Sequence, residues 1–417
     1  MDKTVSGGNI KGCVTPPSSK SYAQRAIALS LLTNGRSTLR NIEFCKDTRS
    51  ALKCIEALGA KVTFIDDSTI TIDGGLNPVS DTLYVGESGL ATRLFTPIAS
   101  LHTSPICIKG EGTILHRPMM LMIEPLRELG VKVADGGGYL PIQVQGPIHG
   151  GKIEVDGSFS SQFITGLLLA LPMAMEDTTL IVKSPVSTPY IDMTIDTARC
   201  FGVEILHNDG DYTEFFIKGR QQYEPVDLSI EGDWSGASSI LVAGAIAGEV
   251  TVNNISTLSK QADTAICHAL ERAGAGIIIE QDSITVSKRP LRAFTFDATH
   301  CPDLFPALAA LAAAAEGEST IIGTSRLRHK ESDRALTICQ EYEKLGIKVD
   351  ISEENVMKIQ GGEVKPATTF SHNDHRIAMS VAVTALRCKG NIVIENAECV
   401  EKSYPTFFED LESIIVR

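Results

Sequence analysis

Leu58-Gly59-Ala60-Lys61-Val62 is the phrase on which the fold turns, because it returns four times. Its further copies are Leu129-Gly130-Val131-Lys132-Val133, Phe201-Gly202-Val203-Glu204-Ile205, Ala273-Gly274-Ala275-Gly276-Ile277 and Leu345-Gly346-Ile347-Lys348-Val349. The glycine-to-glycine intervals are 71, 72, 72 and 72 residues. A glycine at this point predicts the left-handed residue that ends a helix, and the β-branched residues after it predict the start of a strand. A fixed period of this length marks a repeated supersecondary unit. A sixth copy, Tyr404 to Ile415, lacks the glycine.

A second helix recurs in every unit, at Ser21–Leu32, Leu90–Leu101, Gln162–Met173, Ala237–Ala247, Leu304–Ala315 and His375–Leu386. Its residues are small and apolar nearly all round, which predicts burial. Six such helices in 417 residues exceed one core, so two groups of three are expected. The expected domains are 14–228, and 1–13 plus 229–417 with a single N-terminal strand at Thr4–Gly12. The chain then crosses between them near Thr15-Pro16-Pro17 and between Tyr223 and Asp233, where proline and acidic turn residues interrupt the pattern. The class is α/β, with two similar domains.

Composition narrows the function. Hydrophobic residues at 43% and charged residues at 21% exclude a disordered chain. The longest nearly apolar run, Ile164–Met175, is too short to span a bilayer. Met1-Asp2-Lys3-Thr4 begins no export signal, so a cytoplasmic location is expected. Ten cysteines without a CxxC pair predict neither disulfides nor a zinc site. A net charge of −13 argues against a partner that presents a phosphate backbone, so nucleic acid is not expected. An anionic substrate must therefore meet a local basic cluster.

Such clusters stand at the starts of the apolar helices. Ser18-Ser19-Lys20-Ser21-Tyr22-Ala23-Gln24-Arg25 places Ser21 and Arg25 four apart on one face, where free NH groups and the positive dipole end favour an anion. The bland alternative is a capped helix with two solvated cations. Gly86-Glu87-Ser88-Gly89 precedes Arg93, Ser160-Ser161-Gln162 opens the third helix, Asp233-Trp234-Ser235-Gly236 the fourth, and Asn373-Asp374-His375-Arg376 the sixth. Asp303 before the fifth reads as an N-cap. Lys330-Glu331-Ser332-Asp333-Arg334 puts two cations at i, i+4, an unfavourable spacing on a helix unless an anion lies between them. Arg117 and Lys402, in equivalent loops, read singly as surface cations. His116, His329, His372 and His375 lack metal-ligand spacing, so no metal is expected.

Ser19-Lys20-Ser21 with Arg25, Ser160-Ser161-Gln162-Phe163, Arg328-His329-Lys330-Glu331-Ser332-Asp333-Arg334, Asn373-Asp374-His375-Arg376 and Lys402-Ser403-Tyr404-Pro405 resemble in order and spacing the enolpyruvyl transferase family of 5-enolpyruvylshikimate-3-phosphate synthases. The resemblance runs from Ser18 to Phe407. It implies six βαβαββ units in two domains with buried parallel helices and outer sheets, an inside-out α/β barrel. It implies transfer of the enolpyruvyl group of phosphoenolpyruvate to the 5-hydroxyl of shikimate 3-phosphate, with release of phosphate, on the route to aromatic amino acids. No metal or organic cofactor is implied, inhibition by glyphosate is, and a monomer is expected.

By the same resemblance, Ser160, Ser161 and Ser187 hold the phosphate of shikimate 3-phosphate, Ser21 and Arg25 its carboxylate, and Gln162, Tyr190, Asp303 and Lys330 its ring and hydroxyls, with Lys20 also on this substrate. Phosphoenolpyruvate is assigned to Lys20, Gly89, Arg117, Gln162, Arg334, Arg376 and Lys402. Asp303 is the implied base toward the 5-hydroxyl, and Glu331 and Lys20 handle the proton on the vinyl carbon. Two positions depart from the family pattern: Glu87 before Gly89, and Arg326 where asparagine is common. Rival readings are a UDP-N-acetylglucosamine enolpyruvyl transferase, whose loop cysteine is missing from Glu111–Pro118, and a non-catalytic repeat scaffold.

Overall fold

The computed structural model describes every residue except Asp209 and Arg417. The five repeat glycines have φ of 108° at Gly59, 86° at Gly130, 80° at Gly202, 88° at Gly274 and 80° at Gly346. A side chain is disfavoured in this left-handed region, which is why the same residue type returns at each period. A strand follows four of them directly, at Lys61–Phe64, Lys132–Asp135, Gly276–Ile279 and Lys348–Asp350. After Gly202 the strand is short and late, Leu206–His207.

One unit illustrates the others. Thr82–Tyr84 pairs in parallel with Ile106–Lys109, which pairs antiparallel with Ile142–Gln145, which pairs antiparallel with Lys132–Asp135. A parallel pair requires a crossover, and the buried helix Gly89–Ala99 supplies it. Among the described residues, five four-stranded sheets have this order, and one sheet has three strands.

The exceptions explain the chain crossings. By the repeat rule Ile10–Val14, just before the helix Lys20–Leu32, should pair with the strand after it, Arg36–Arg40. Instead Asp227–Ser229 takes that place, and Ile10–Val14 pairs in parallel with Gly248–Asn253, after the helix Trp234–Ala247. The two strands have exchanged units. In the three-stranded sheet, Lys3–Ser6 lies antiparallel to Asn391–Glu395, at the position where other units place their hairpin. The N-terminal segment thus forms two strands, not the single one expected over Thr4–Gly12.

The chain divides into two compact units, Met1–Pro17 with Glu231–Arg417, and Ser18–Ile230. In each, apolar helices lie inside and sheets outside. Gly89–Ala99, Trp234–Ala247 and His375–Ala385 are buried along their entire length, as expected of helices without a polar face. Close approach depends on small residues: a Cβ on Gly166 of the helix Ser161–Ala170 would lie 1.9 Å from the Arg93 carbonyl. Among the described residues no helix is long and apolar enough to cross a membrane.

Candidate active site: two clusters at helix starts

In Ser18–Ile230 the first buried helix starts at Lys20, with Ser19 as cap accepting the Tyr22 N–H at 3.4 Å. Lys20 pairs with Asp47 at 3.0 Å. Arg25 is no solvated cation, since it is 1% exposed. Its Nε donates to Thr194 Oγ1 at 2.9 Å, and its Nη2 to Thr165 Oγ1 and the Tyr190 carbonyl, both at 3.2 Å. Its Nη1 donates to the Ser21 carbonyl at 2.8 Å. These partners are all neutral, and burial pulls the guanidinium down to about 10, where it stays charged at neutral pH.

Gly89, Arg93, Arg117 and Gln162 form a neighbouring group. Arg93 Nη1 donates at 3.0 Å to both the Gly89 carbonyl and Gln162 Oε1, and its guanidinium lies 4.8 Å from the Phe163 ring centre. A Cβ on Gly89 would sit 2.7 Å from Nη1 of both Arg117 and Arg93, so the glycine lets two cations approach the helix start. Arg117 is buried, and the surface-cation reading is corrected. The sequence places Arg93 in the polar cluster that follows Gly86-Glu87-Ser88-Gly89 without giving it a role, although its i, i+4 spacing from Gly89 was the available signal. Ser160 caps its helix through the Gln162 N–H at 3.3 Å, and Ser161 opens it. Ser187 is buried with φ 52°, a left-handed conformation uncommon for serine, just before the helix Thr188–Cys200, in which Tyr190 lies. Glu87 is turned toward the Arg117 loop: a Cβ on Gly112 would meet its Oε1 at 2.2 Å.

The cluster in Glu231–Arg417 is built on Arg334, which is fully enclosed. Its Nη1 donates to Asp303 Oδ1 at 2.6 Å, its Nη2 to Glu331 Oε2 at 2.7 Å, and its Nε to Asp374 Oδ2 at 2.8 Å. Burial would lower the Arg334 guanidinium, but Asp374, Glu331 and Asp303 outweigh it and raise it. Two sequence expectations fail here. Asp303 is not a cap: it lies in the turn Pro302–Leu304 and receives Lys330 at 3.1 Å besides Arg334. Nor do Lys330 and Arg334 share a helical face, because the helix begins only at Arg334; the loop before it folds so that both cations meet on one carboxylate.

Burial alone would raise Asp303, yet Lys330, Arg376 and Arg334 hold it well below the usual carboxylate range. Lys330 is itself lowered by burial, which outweighs the opposing charge of Asp303. Arg376 Nε lies 3.8 Å from Asp303. Lys402 is 6% exposed at the end of the turn Ala397–Lys402, so its surface reading is corrected too. Asp374, quoted in the sequence but given no role, caps the helix His375–Ala385 through the Arg376 N–H at 3.0 Å while gripping Arg334. Arg326 donates to the Thr299 carbonyl at 3.0 Å, and burial draws it down to about 10.

Comparison with known proteins decides the family. The family model for EPSP synthase (3-phosphoshikimate 1-carboxyvinyltransferase) matches residues 5–411. A 3-phosphoshikimate 1-carboxyvinyltransferase of Clostridium perfringens is 37% identical, with 98% of this chain and 97% of the relative covered. One from Methanosarcina acetivorans is 38% identical over 100% and 98%. The chain belongs to the EPSP synthase family. An EPSP synthase structure from Acinetobacter baumannii superposes with a TM-score of 0.85 at 25% identity, covering 99% of this chain and 98% of that one. The fold is accordingly the two-domain inside-out α/β barrel of EPSP synthases. As a member of this family, the chain is an enzyme that transfers the enolpyruvyl group of phosphoenolpyruvate to shikimate 3-phosphate. The UDP-N-acetylglucosamine and scaffold readings fall away.

Proposed function

We propose that the two clusters divide the labour of this reaction. Ser160, Ser161, Ser187, Ser21, Arg25, Gln162 and Tyr190 take shikimate 3-phosphate, whose anionic groups suit a helix start and a buried arginine held by neutral partners. Gly89, Arg117, Lys20, Arg376 and Lys402 take phosphoenolpyruvate. Asp303 receives the proton of the 5-hydroxyl as its oxygen attacks C2, while Glu331 with Lys20 delivers a proton to the vinyl carbon and recovers one from the resulting methyl as phosphate leaves C2, which restores the double bond.

The single observation that carries this reading is Asp303, a carboxylate in contact with both Lys330 and Arg334 and close to Arg376. So placed it is a weak base, because a good base needs a pKa near the working pH. An anion arriving on Arg376 competes for the cationic charge around Asp303 and raises its basicity, so base strength appears only when phosphoenolpyruvate is bound. Arg334, with every nitrogen on a carboxylate, acts here chiefly as the clamp that aligns Asp303 and Glu331, and its Nη1 bond to Asp303 is the contact an anion would loosen. The free thiols of all ten cysteines support a cytoplasmic location.

The test is phosphate release from shikimate 3-phosphate and phosphoenolpyruvate. Asp303→Asn and Glu331→Gln should each lower kcat by roughly 10²- to 10⁴-fold with little change in shikimate 3-phosphate affinity. Near-native turnover in Asp303→Asn would remove it from the mechanism.

A further inference from the structure

Behind Asp303 and Arg376 stands a carboxyl group to which the reaction assigns no role. Asp263, in the turn Ala262–Ala265, is fully buried. Its Oδ2 accepts a hydrogen bond from Ser235 Oγ, and its Oδ1 has no hydrogen-bond partner among the described residues. The turn is not free to relax around it. Gln261, two residues earlier, accepts the Trp234 N–H at 3.0 Å and donates to Glu231 and the Gly232 carbonyl, each at 2.8 Å, locking this loop to the start of the helix Trp234–Ala247.

The groups acting on Asp263 come from three segments: Asp233 beside Ser235, Cys301 and Asp303 from the turn before the helix Phe305–Ala314, and Arg376 from the helix His375–Ala385. Asp303, 3.8 Å away, Asp233 and Asp263 all act on the one Arg376 guanidinium, and of the three Asp263 is the one fully buried. We propose that Asp263, which no substrate can reach, is a positioning residue that sets how much of Arg376's positive charge is left for an incoming anion.

The physical basis is the cost of a buried carboxylate with a single hydrogen bond, which a bound proton removes. Burial first, then the charge of Asp303, push the Asp263 carboxyl up to about 7, against the opposing pull of Arg376 and Ser235. Below that pH the group is neutral, and Arg376 is balanced by Asp303 and Asp233. Above it Asp263 releases its proton to solvent and becomes another anion beside Arg376, which then attracts phosphoenolpyruvate less.

The inference rests on the assignment of Arg376 to phosphoenolpyruvate. The experiment measures the KM for phosphoenolpyruvate from pH 6 to 9 at saturating shikimate 3-phosphate, in the native enzyme and its variants. In the native enzyme KM should climb above neutral pH, by at most about tenfold per unit. Asp263→Asn, an uncharged isostere, should flatten that climb. Ser235→Ala removes the hydrogen bond that favours the ionised form and should move the climb to higher pH, so it carries the test alone if Asp263→Asn does not fold. Native and Asp263→Asn profiles that coincide, or a climb that Ser235→Ala moves to lower pH, overturn the proposal. Arg376→Lys distinguishes the two failures. An unchanged KM in that variant overturns the assignment of Arg376 and this inference with it, whereas a raised KM alongside coincident Asp263 profiles overturns the role of Asp263 alone.

Discussion

Arg25 and Arg334 are both enclosed guanidiniums near the start of a helix, yet they are held in opposite ways. Arg25 lies among two threonine hydroxyls and two carbonyls, so its charge is solvated without being neutralised. Arg334 lies among three carboxylates, so its charge is matched several times over. The first environment leaves a positive potential for a ligand to cancel, as binding an anion requires. The second leaves acids whose protonation is governed by cations, as acid-base catalysis requires. One fold unit repeated six times thus supports two chemistries through the partners given to a buried arginine.

The contrast can be broken most forcefully at Arg334. Arg334→Met strands Asp303, Glu331 and Asp374 together without their shared cation, and breaking a buried ion pair in this way costs about 3 to 5 kcal/mol. Urea unfolding should show that loss together with greatly reduced turnover. A stability change below about 1 kcal/mol would mean that the three carboxylates do not depend on Arg334.

A smaller and different effect is expected at Arg25. Arg25→Met leaves hydroxyls that still have partners, since Thr194 Oγ1 donates to the Tyr190 carbonyl at 2.7 Å. Stability should change by no more than about 1 kcal/mol, whereas shikimate 3-phosphate should bind roughly 10- to 100-fold more weakly, the value of one or two charged hydrogen bonds. Calorimetric titration and thermal unfolding of the same sample would separate the two. Loss of stability with intact affinity would erase the distinction between the clusters.

The smallest effect concerns acid. Asp303 is held low by its cations, and Glu341, where burial opposes the shift, is held low by Lys344, His372 and the Phe370 N–H. A carboxyl lowered in the folded state contributes stability that is fully present above its unfolded value and is lost as pH falls through the folded one. Both groups lie in the unit that includes Glu231–Arg417, as does the single tryptophan, Trp234. On acidification below about pH 4, Trp234 fluorescence should change before most of the far-ultraviolet circular dichroism is lost. Coincident transitions would mean that the two units share their acid sensitivity.

What the sequence determined by itself is everything set within a few residues. A glycine is required where a helix ends in left-handed geometry, an all-round apolar helix must be buried, and Ser19, Ser88, Ser160, Asp233 and Asp374 suit the helix starts that they cap. These follow from local backbone geometry and period, so they were readable from the repeat alone. The resemblance, resting on several short motifs in order, supplied the family. Tertiary structure decided which charges met. Asp303 looked like a cap because capping is the commonest local use of such a residue, but Lys330 and Arg334, 27 and 31 residues away, drew it elsewhere. Arg117 and Lys402 looked like surface cations because loops are usually solvated, and only the packing around them buried both. Asp374 took on two tasks because its second partner lies 40 residues back in the chain, and Arg25 reaches a threonine 169 residues away. The exchange of Ile10–Val14 and Asp227–Ser229 was equally hidden, since either strand satisfies the same local pattern and only pairing across the fold distinguishes their places. Electrostatic partners and strand neighbours are properties of distance in space, and a sequence period carries no record of them.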